Sequence, residues 1–176
     1  MLKHLLAISL VLLLVACGGD PGTGAVEVKW DRDACERCRM VLSDRNHSAQ
    51  VRFNPLGSKR SKVLKFDDIG CAVVWLRDKP WKDDATTQLW VTDHRDGGWI
   101  DAKTATYIKG QTTPMEYGLG AQAETIDGGL SFAEAQKHIM YIEEKFNIHG
   151  VDLLKRLDDQ RNQRERNSHE SHNHGT

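Results

Sequence analysis

The chain has 176 residues, with 24 Lys+Arg against 25 Asp+Glu and a formal net charge of −1. Near neutrality without a basic stripe excludes a nucleic-acid binder. The length allows one domain or two small ones.

The first element is an export signal. MLKHLLAISLVLLLVACGGD places Lys3 before an apolar run from Leu5 to Val15, followed by Ala16-Cys17. That run is too short to span a bilayer as a mature helix, and small residues ahead of a cysteine fit a lipoprotein cleavage site. Residues 1–16 are expected to be removed, leaving Cys17 as the acylated, palmitate-bearing first residue. Gly18 in place of an aspartate favours sorting to the outer membrane, with the protein facing the periplasm. Residues 17–28 include the turn-prone DPGTGAVEV and read as a lipid-anchored tether. Residues 29–150 form the expected domain.

CERCRM follows at 35–40. With Cys17 acylated, Cys35, Cys38 and Cys71 remain, an odd number for an oxidising compartment. One thiol is then left over, which invites a functional explanation, although burial would account for Cys71.

SAQVRF (48–53) and KVLKF (62–66) read as strands around the turn sequence NPLGSKR. Asp67-Asp68 can cap a helix through IGCAVVWLRDK, with Ile69, Val73 and Leu76 on one face and Pro80 as its stop. QLWVTD (88–93) and GWIDA (98–102) flank HRDGG, a hairpin signal, and ATYIKG (105–110) and LGAQAE (119–124) follow as strands. A capping box, Ser131 with Glu134, opens a second helix carrying Phe132, Ala135, Ile139, Ile142 and Phe146 on one stripe. Trp75, Trp90 and Trp99 read as packing residues. Residues 151–176 form a polar extension and a His-rich tail with His169, His172 and His174. The rhythm is strands then helix, twice over, which makes an α+β chain of two ββα-like units.

Several chemistries compete for CERCRM. A structural zinc site needs four ligands, and no second CxxC or HxxxH pair is present. A thioredoxin-like pair needs CxxC at a helix start within a βαβ pattern, which is absent. A local Cys35–Cys38 disulfide is the simplest reading. Cu(I) fits the donor types best, since thiolate and thioether are both soft. Cys38 and Met40 would aim at one ion if the segment is extended. Met115, in the small and polar loop TTPMEYGLGA, is a distant second thioether. His47 and the tail histidines could add donors. The paired acids 67–68 are explained by capping, and no nucleophile accompanies Asp93, His94 and Asp96, so no catalytic site is expected.

Taken in order, the lipoprotein signal, CERCRM, FDDIGC (66–71), WVTDHRDGGWIDA (90–102) and TPMEYGLGA (113–121) resemble the NosL family. These are copper-handling lipoproteins that assist maturation of nitrous-oxide reductase in denitrifying bacteria. The resemblance spans about residues 1–146. It departs at Arg39, where the family commonly has glycine. It implies a periplasmic Cu(I) metallochaperone, not an enzyme, built as two small ββα-type subdomains in one compact unit similar to the organomercurial lyase-like fold. It carries the soft donors onto Cys38, Met40 and Met115, with Cys35 beside them. The implied partners are the apo-reductase and a membrane ABC-type maturation complex, and the apo form could protect its thiols as a homodimer. The competing class is a periplasmic thiol–disulfide oxidoreductase, with Cys35 attacking and Cys38 resolving.

Overall fold

Alternation such as that of SAQVRF ordinarily leaves the polar side of a strand in water. Here both sides are dry. The computed structural model describes residues 20–58, 60–145 and 161–162, and in it strand β1 (Ala49–Phe53) is buried along its whole length. Ala49, Val51 and Phe53 share the core face. Gln50 and Arg52 lie beneath residues 20–28, which cross the opposite face as a strap. The Val26 N–H donates to Gln50 Oε1 at 2.9 Å, and Gln50 Nε2 donates back to the Val26 carbonyl at 2.8 Å. Arg52 donates to the Gly24 carbonyl at 2.8 Å, to both carboxylate oxygens of Asp20 at 2.7 and 2.9 Å, and to Ser61 Oγ at 2.6 Å. All three nitrogens of the buried guanidinium are therefore engaged, the condition under which such a charge is tolerated.

Strand β2 (Lys62–Phe66) pairs antiparallel with β1, from Ala49↔Phe66 to Phe53↔Lys62. Strand β3 (Gln88–Thr92) takes the other edge of β1, and β4 (Trp99–Asp101) pairs with β3 across the HRDGG turn. The sheet order is β2-β1-β3-β4. Strands β5 (Thr106–Lys109) and β6 (Leu119–Gln122) make a separate antiparallel pair. Single bridges link that pair to the rest: Asp93↔Ala121 to the end of β3, and Tyr107↔Leu130 to the approach of the second helix.

Helix α1 (Ile69–Arg77) starts where the acids predicted. Asp68, at φ −151°, caps it and accepts from the Gly70 N–H at 2.7 Å. The expectation of one apolar face is too narrow, because every residue of α1 except Trp75 and Arg77 is buried. One side meets the sheet through Trp75, packed against Phe53 and Phe66. The other side meets the second unit: Val73 and Leu76 share a cavity with Phe132 and Met140. Trp90 and Trp99 are half-buried.

Helix α2 covers 132–145 in the described residues. Its capping box is formed, with Ser131 N–H donating to Glu134 Oε2 at 2.8 Å and Glu134 N–H to Ser131 Oγ at 3.4 Å. Ala135 and Ile139 are fully buried. Phe146 lies outside the described residues.

The chain is α+β, but its strands divide differently from the simple rhythm. The β3–β4 hairpin extends the first sheet because the inner strand β1 needs a partner on its second edge. That leaves β5, β6 and α2 as the smaller unit.

Candidate metal centre

CERCRM is not extended. The Cys35 N–H donates to the Met40 carbonyl at 2.8 Å, and the Arg39 N–H to the Cys35 carbonyl at 3.1 Å. An antiparallel bridge, Ala34↔Val41, closes the segment at its base. Six residues between bridged neighbours must reverse direction, so they form one helical turn instead of a strand. Cys35 and Cys38 consequently sit at i and i+3, on one side of that turn. The shared strand face expected for Cys38 and Met40 does not exist. The turn ends at Arg39 with φ 67°, the left-handed region that glycine adopts freely. The position where this chain departs from the NosL pattern is thus one whose backbone suits glycine, and the arginine holds it at a cost of about 1 kcal/mol.

The start of α1 faces this turn. It delivers two residues that the sequence reading did not place in the site, Asp67 and Cys71. The three sulfurs of Cys35, Cys38 and Cys71 and a carboxylate oxygen of Asp67 all lie within 4.8 Å of one another. Two thiolate–metal bonds of about 2.3 Å span at most about 4.6 Å, so one ion fits among them with little movement. All three cysteines are free thiols. The Cys38 thiol donates to Asp67 Oδ2 at 3.1 Å, while Asp67 Oδ1 is buried with no partner. An orphaned carboxylate oxygen beside three sulfurs is what a cation would satisfy.

Charge is unevenly distributed among the thiols. A hydrogen bond from Cys71, helped by the Cys38 and Asp67 backbone N–H groups, lowers Cys35 to about 6 despite burial. Burial pushes Cys38 up to about 12, with hydrogen bonding to Asp67 and Cys35 contributing. Cys71 is raised well above the ordinary thiol range by its hydrogen bond to Cys35, then by burial and nearby negative charge. The arrangement makes Cys35 the most acidic of the three thiols.

Arg37 forms one wall of the cluster. Its Nη1 lies 3.8 Å from Cys71 Sγ and donates to the Tyr117 hydroxyl at 2.9 Å. Its Nη2 pairs with Glu143 of α2, which also accepts from the Tyr117 hydroxyl at 2.5 Å. Tyr117 belongs to the Met115 loop, a tight turn in which Glu116, at φ 59°, donates its N–H to the Thr113 carbonyl at 3.1 Å. The loop docks on α1 at Gly70, where a Cβ would fall 2.1 Å from the Tyr117 ring. Only glycine permits that approach. Burial pushes Asp68 up to about 6, against the Thr113 hydroxyl and the Gly70 and Met115 N–H groups.

Met40 and Met115 line one hollow of about 440 Å³, whose walls also include Pro114, Tyr117, Glu143 and Arg37, the residue it shares with the thiol cluster. Met40 is 46% exposed. The structure therefore gathers Cys35 and Cys38 in one cluster, Cys35 buried and Cys38 half-buried, and the two thioethers in an open space next to it. His47 stands apart, its Nδ1 bonded to Asp44 Oδ2 at 2.8 Å. Cys17, His169, His172 and His174 lie outside the described residues.

Two signals could have found the missed donors. The odd thiol count pointed at Cys71, and two adjacent acids stood where a helix needs one cap. Zinc, excluded in the linear sequence for want of four ligands, does find four candidate donors in the fold.

The family model NosL matches residues 26–137, a span that holds the CERCRM turn, the start of α1 and the Met115 loop. No curated protein matches the chain.

Proposed function

The chain belongs to the NosL family, and we propose that it is a carrier of Cu(I) that binds the ion at the thiol cluster and passes it on through the thioether hollow. The observation that carries this reading is the convergence of Cys35, Cys38, Cys71 and Asp67 next to Met40 and Met115. Thiolates hold a soft monovalent ion tightly, and thioethers hold it weakly and are never protonated. A buried anionic thiolate in the first group favours capture. Neutral donors in the second, with Met40 exposed, allow an acceptor's ligand to enter.

Capture exchanges protons for metal. Cys35 is the thiol most easily ionised, whereas Cys38 and Cys71, both shifted up, must lose a proton to ligate. Affinity therefore rises with pH. Arg37, beside Cys71, offsets the negative charge that builds as thiols ionise.

The same proposal extends to the setting. Cys17 carries the lipid, the protein faces the periplasm from the outer membrane, and it works by binding and transfer, not catalysis. The acceptors are the apo form of nitrous-oxide reductase and a membrane ABC-type maturation complex. A homodimer protects the apo thiols, and the fold is kin to the organomercurial lyases. An oxidoreductase is disfavoured, because Cys35, its attacking thiol, has no accessible surface.

Anaerobic titration of the reduced mature protein with Cu(I), against a chromophoric chelator, tests the reading. One tight equivalent is expected, lost in Cys35→Ser and Cys71→Ser. Binding that is indifferent to both thiols would overturn it.

A second reading has an observation of its own. Three thiols and a carboxylate make a complete tetrahedral set for Zn(II). Zinc would be indifferent to Met40 and Met115, so competition between the two ions in Met→Ala variants separates the readings.

A further inference from the structure

The strap runs antiparallel to β1, with Val26 at Gln50, Gly24 at Arg52, and Asp20 paired with Arg52. Its N-terminal end therefore lies at the Phe53–Lys62 end of the β1–β2 hairpin, where Arg52 also bonds Ser61. Cys17 precedes Asp20 by three residues in the sequence, and three residue steps reach at most about 11 Å. A lipid on Cys17 holds this end of the sheet against the bilayer.

The turn at that end is chemically suited to it. NPLGSKRSK, residues 54–62, contains three basic residues and no acid in a chain of net charge −1. Leu56 is wholly exposed, at 105%, and Arg60 and Lys62 are exposed with it. A single exposed leucine is ordinary; one beside a lipid anchor, within a basic turn, is placed for an interface. The turn after α1 packs at the same end, with Trp81 stacked 4.0 Å from Phe53. Its Lys79 and Lys82 are balanced by Asp78, Asp83 and Asp84, so the charge asymmetry belongs to 54–62.

The metal centre occupies the opposite end. Asp67 follows Phe66, the last residue of β2, and the Glu36 N–H of the cysteine turn donates to the Lys65 carbonyl at 2.9 Å. Five strand residues at about 3.3 Å each put roughly 15 Å between the two ends.

We propose that the 54–62 turn is a membrane foot: Leu56 enters the lipid interface and Arg60 and Lys62 meet anionic headgroups beside the acyl anchor, which holds the metal centre at the aqueous end. The inference rests on the acylation of Cys17 proposed above. One lipid signal plus a basic patch is a two-part attachment, and anionic lipid strengthens the second part.

The acylated full-length mature protein, bound to phosphatidylcholine vesicles with or without phosphatidylglycerol, is compared with the same protein in neutral detergent by hydrogen–deuterium exchange. Amides of 54–61 are expected to slow about tenfold on the anionic vesicles, while those of 35–40 keep their rate. The variant Leu56→Asp/Arg60→Glu/Lys62→Glu is expected to lose the slowing and keep its Cu(I) equivalent. Unslowed exchange at 54–61 in vesicle-bound, acylated protein overturns the proposal, as does slowing that requires an added second protein. An intact mass without the acyl group overturns it at the anchor. Loss of Cu(I) binding with the slowing intact overturns only the reading of the metal centre.

Discussion

One six-residue turn contributes to two sites of opposite character. Cys35 looks inward, with no exposed surface, into a cluster of sulfurs and one carboxylate. Met40, five residues later, is 46% exposed and lines an open hollow with Met115. The inner site offers thiols and a carboxylate as donors, and the outer one offers two thioethers beside the Arg37–Glu143 pair. On the proposed reading, depth separates two demands that a single shell meets poorly: holding an ion tightly and letting it go.

The contrast breaks most completely when its inner half is removed. Cys35→Ser is expected to weaken Cu(I) binding by more than on the order of a hundredfold, since even outer-shell partners of a metal are worth up to that much. In the metal-free wild type, thiolate absorbance should persist as the pH falls until about 6 and then disappear. The sign follows from a depressed thiol: its stabilising charge is present above the ordinary thiol value and is lost as the pH falls through the folded one. A wild-type titration centred in the ordinary thiol range would refute the inner arrangement.

Gly70→Ala attacks the joint between the halves. The new Cβ meets the Tyr117 ring at 2.1 Å, so a loss of about 2–3 kcal/mol is expected in chemical denaturation. The Met115 loop should shift with it, and unchanged stability would show that the ring moves freely.

The outer half is tested by Met40→Ala and Met115→Ala. Each is expected to slow Cu(I) transfer to an acceptor chelator about tenfold, with a smaller change in equilibrium affinity. Equal losses in rate and affinity would make the thioethers part of the holding site.

Asp68→Asn probes the cap they share. Burial raises the Asp68 carboxyl to about 6, so the fold takes up a proton between the ordinary carboxylate value and that pH. The stability tied to that proton is complete below the ordinary value and lost as the pH rises through about 6. Asparagine keeps an acceptor for Gly70 and removes the charge. A gain of about 1–2 kcal/mol at pH 7, vanishing at pH 4, is expected in metal-free protein. Last, Arg39→Gly should relieve the left-handed turn for a gain of at most about 1 kcal/mol, measured as a shift in Tm; a clear loss would show that the arginine side chain holds the turn.

Helix α1, its Asp68 cap and the capping box of α2 were legible because their determinants are local. Each lies within one turn of the group it satisfies. The same holds for both hairpin turns. Asp67 and Cys71 were not legible as site residues, because burial and capping account for such residues equally well in a linear reading. The extended form expected of CERCRM failed for a related reason. Only the bridge between Ala34 and Val41 forces the segment to turn.

By itself the sequence determined the chemistry on offer: three thiols after Cys17, two thioethers in loop sequences, and an α+β chain to carry them. The tertiary structure decided which of these meet. Packing α1 between the sheet and the second unit brings Cys71 and Asp67 to the cysteine turn, and the absent side chain of Gly70 lets Tyr117 and its loop close over them. Such contacts join residues about thirty to eighty positions apart, and their energy comes from burial shared across the whole core rather than from any short stretch of chain.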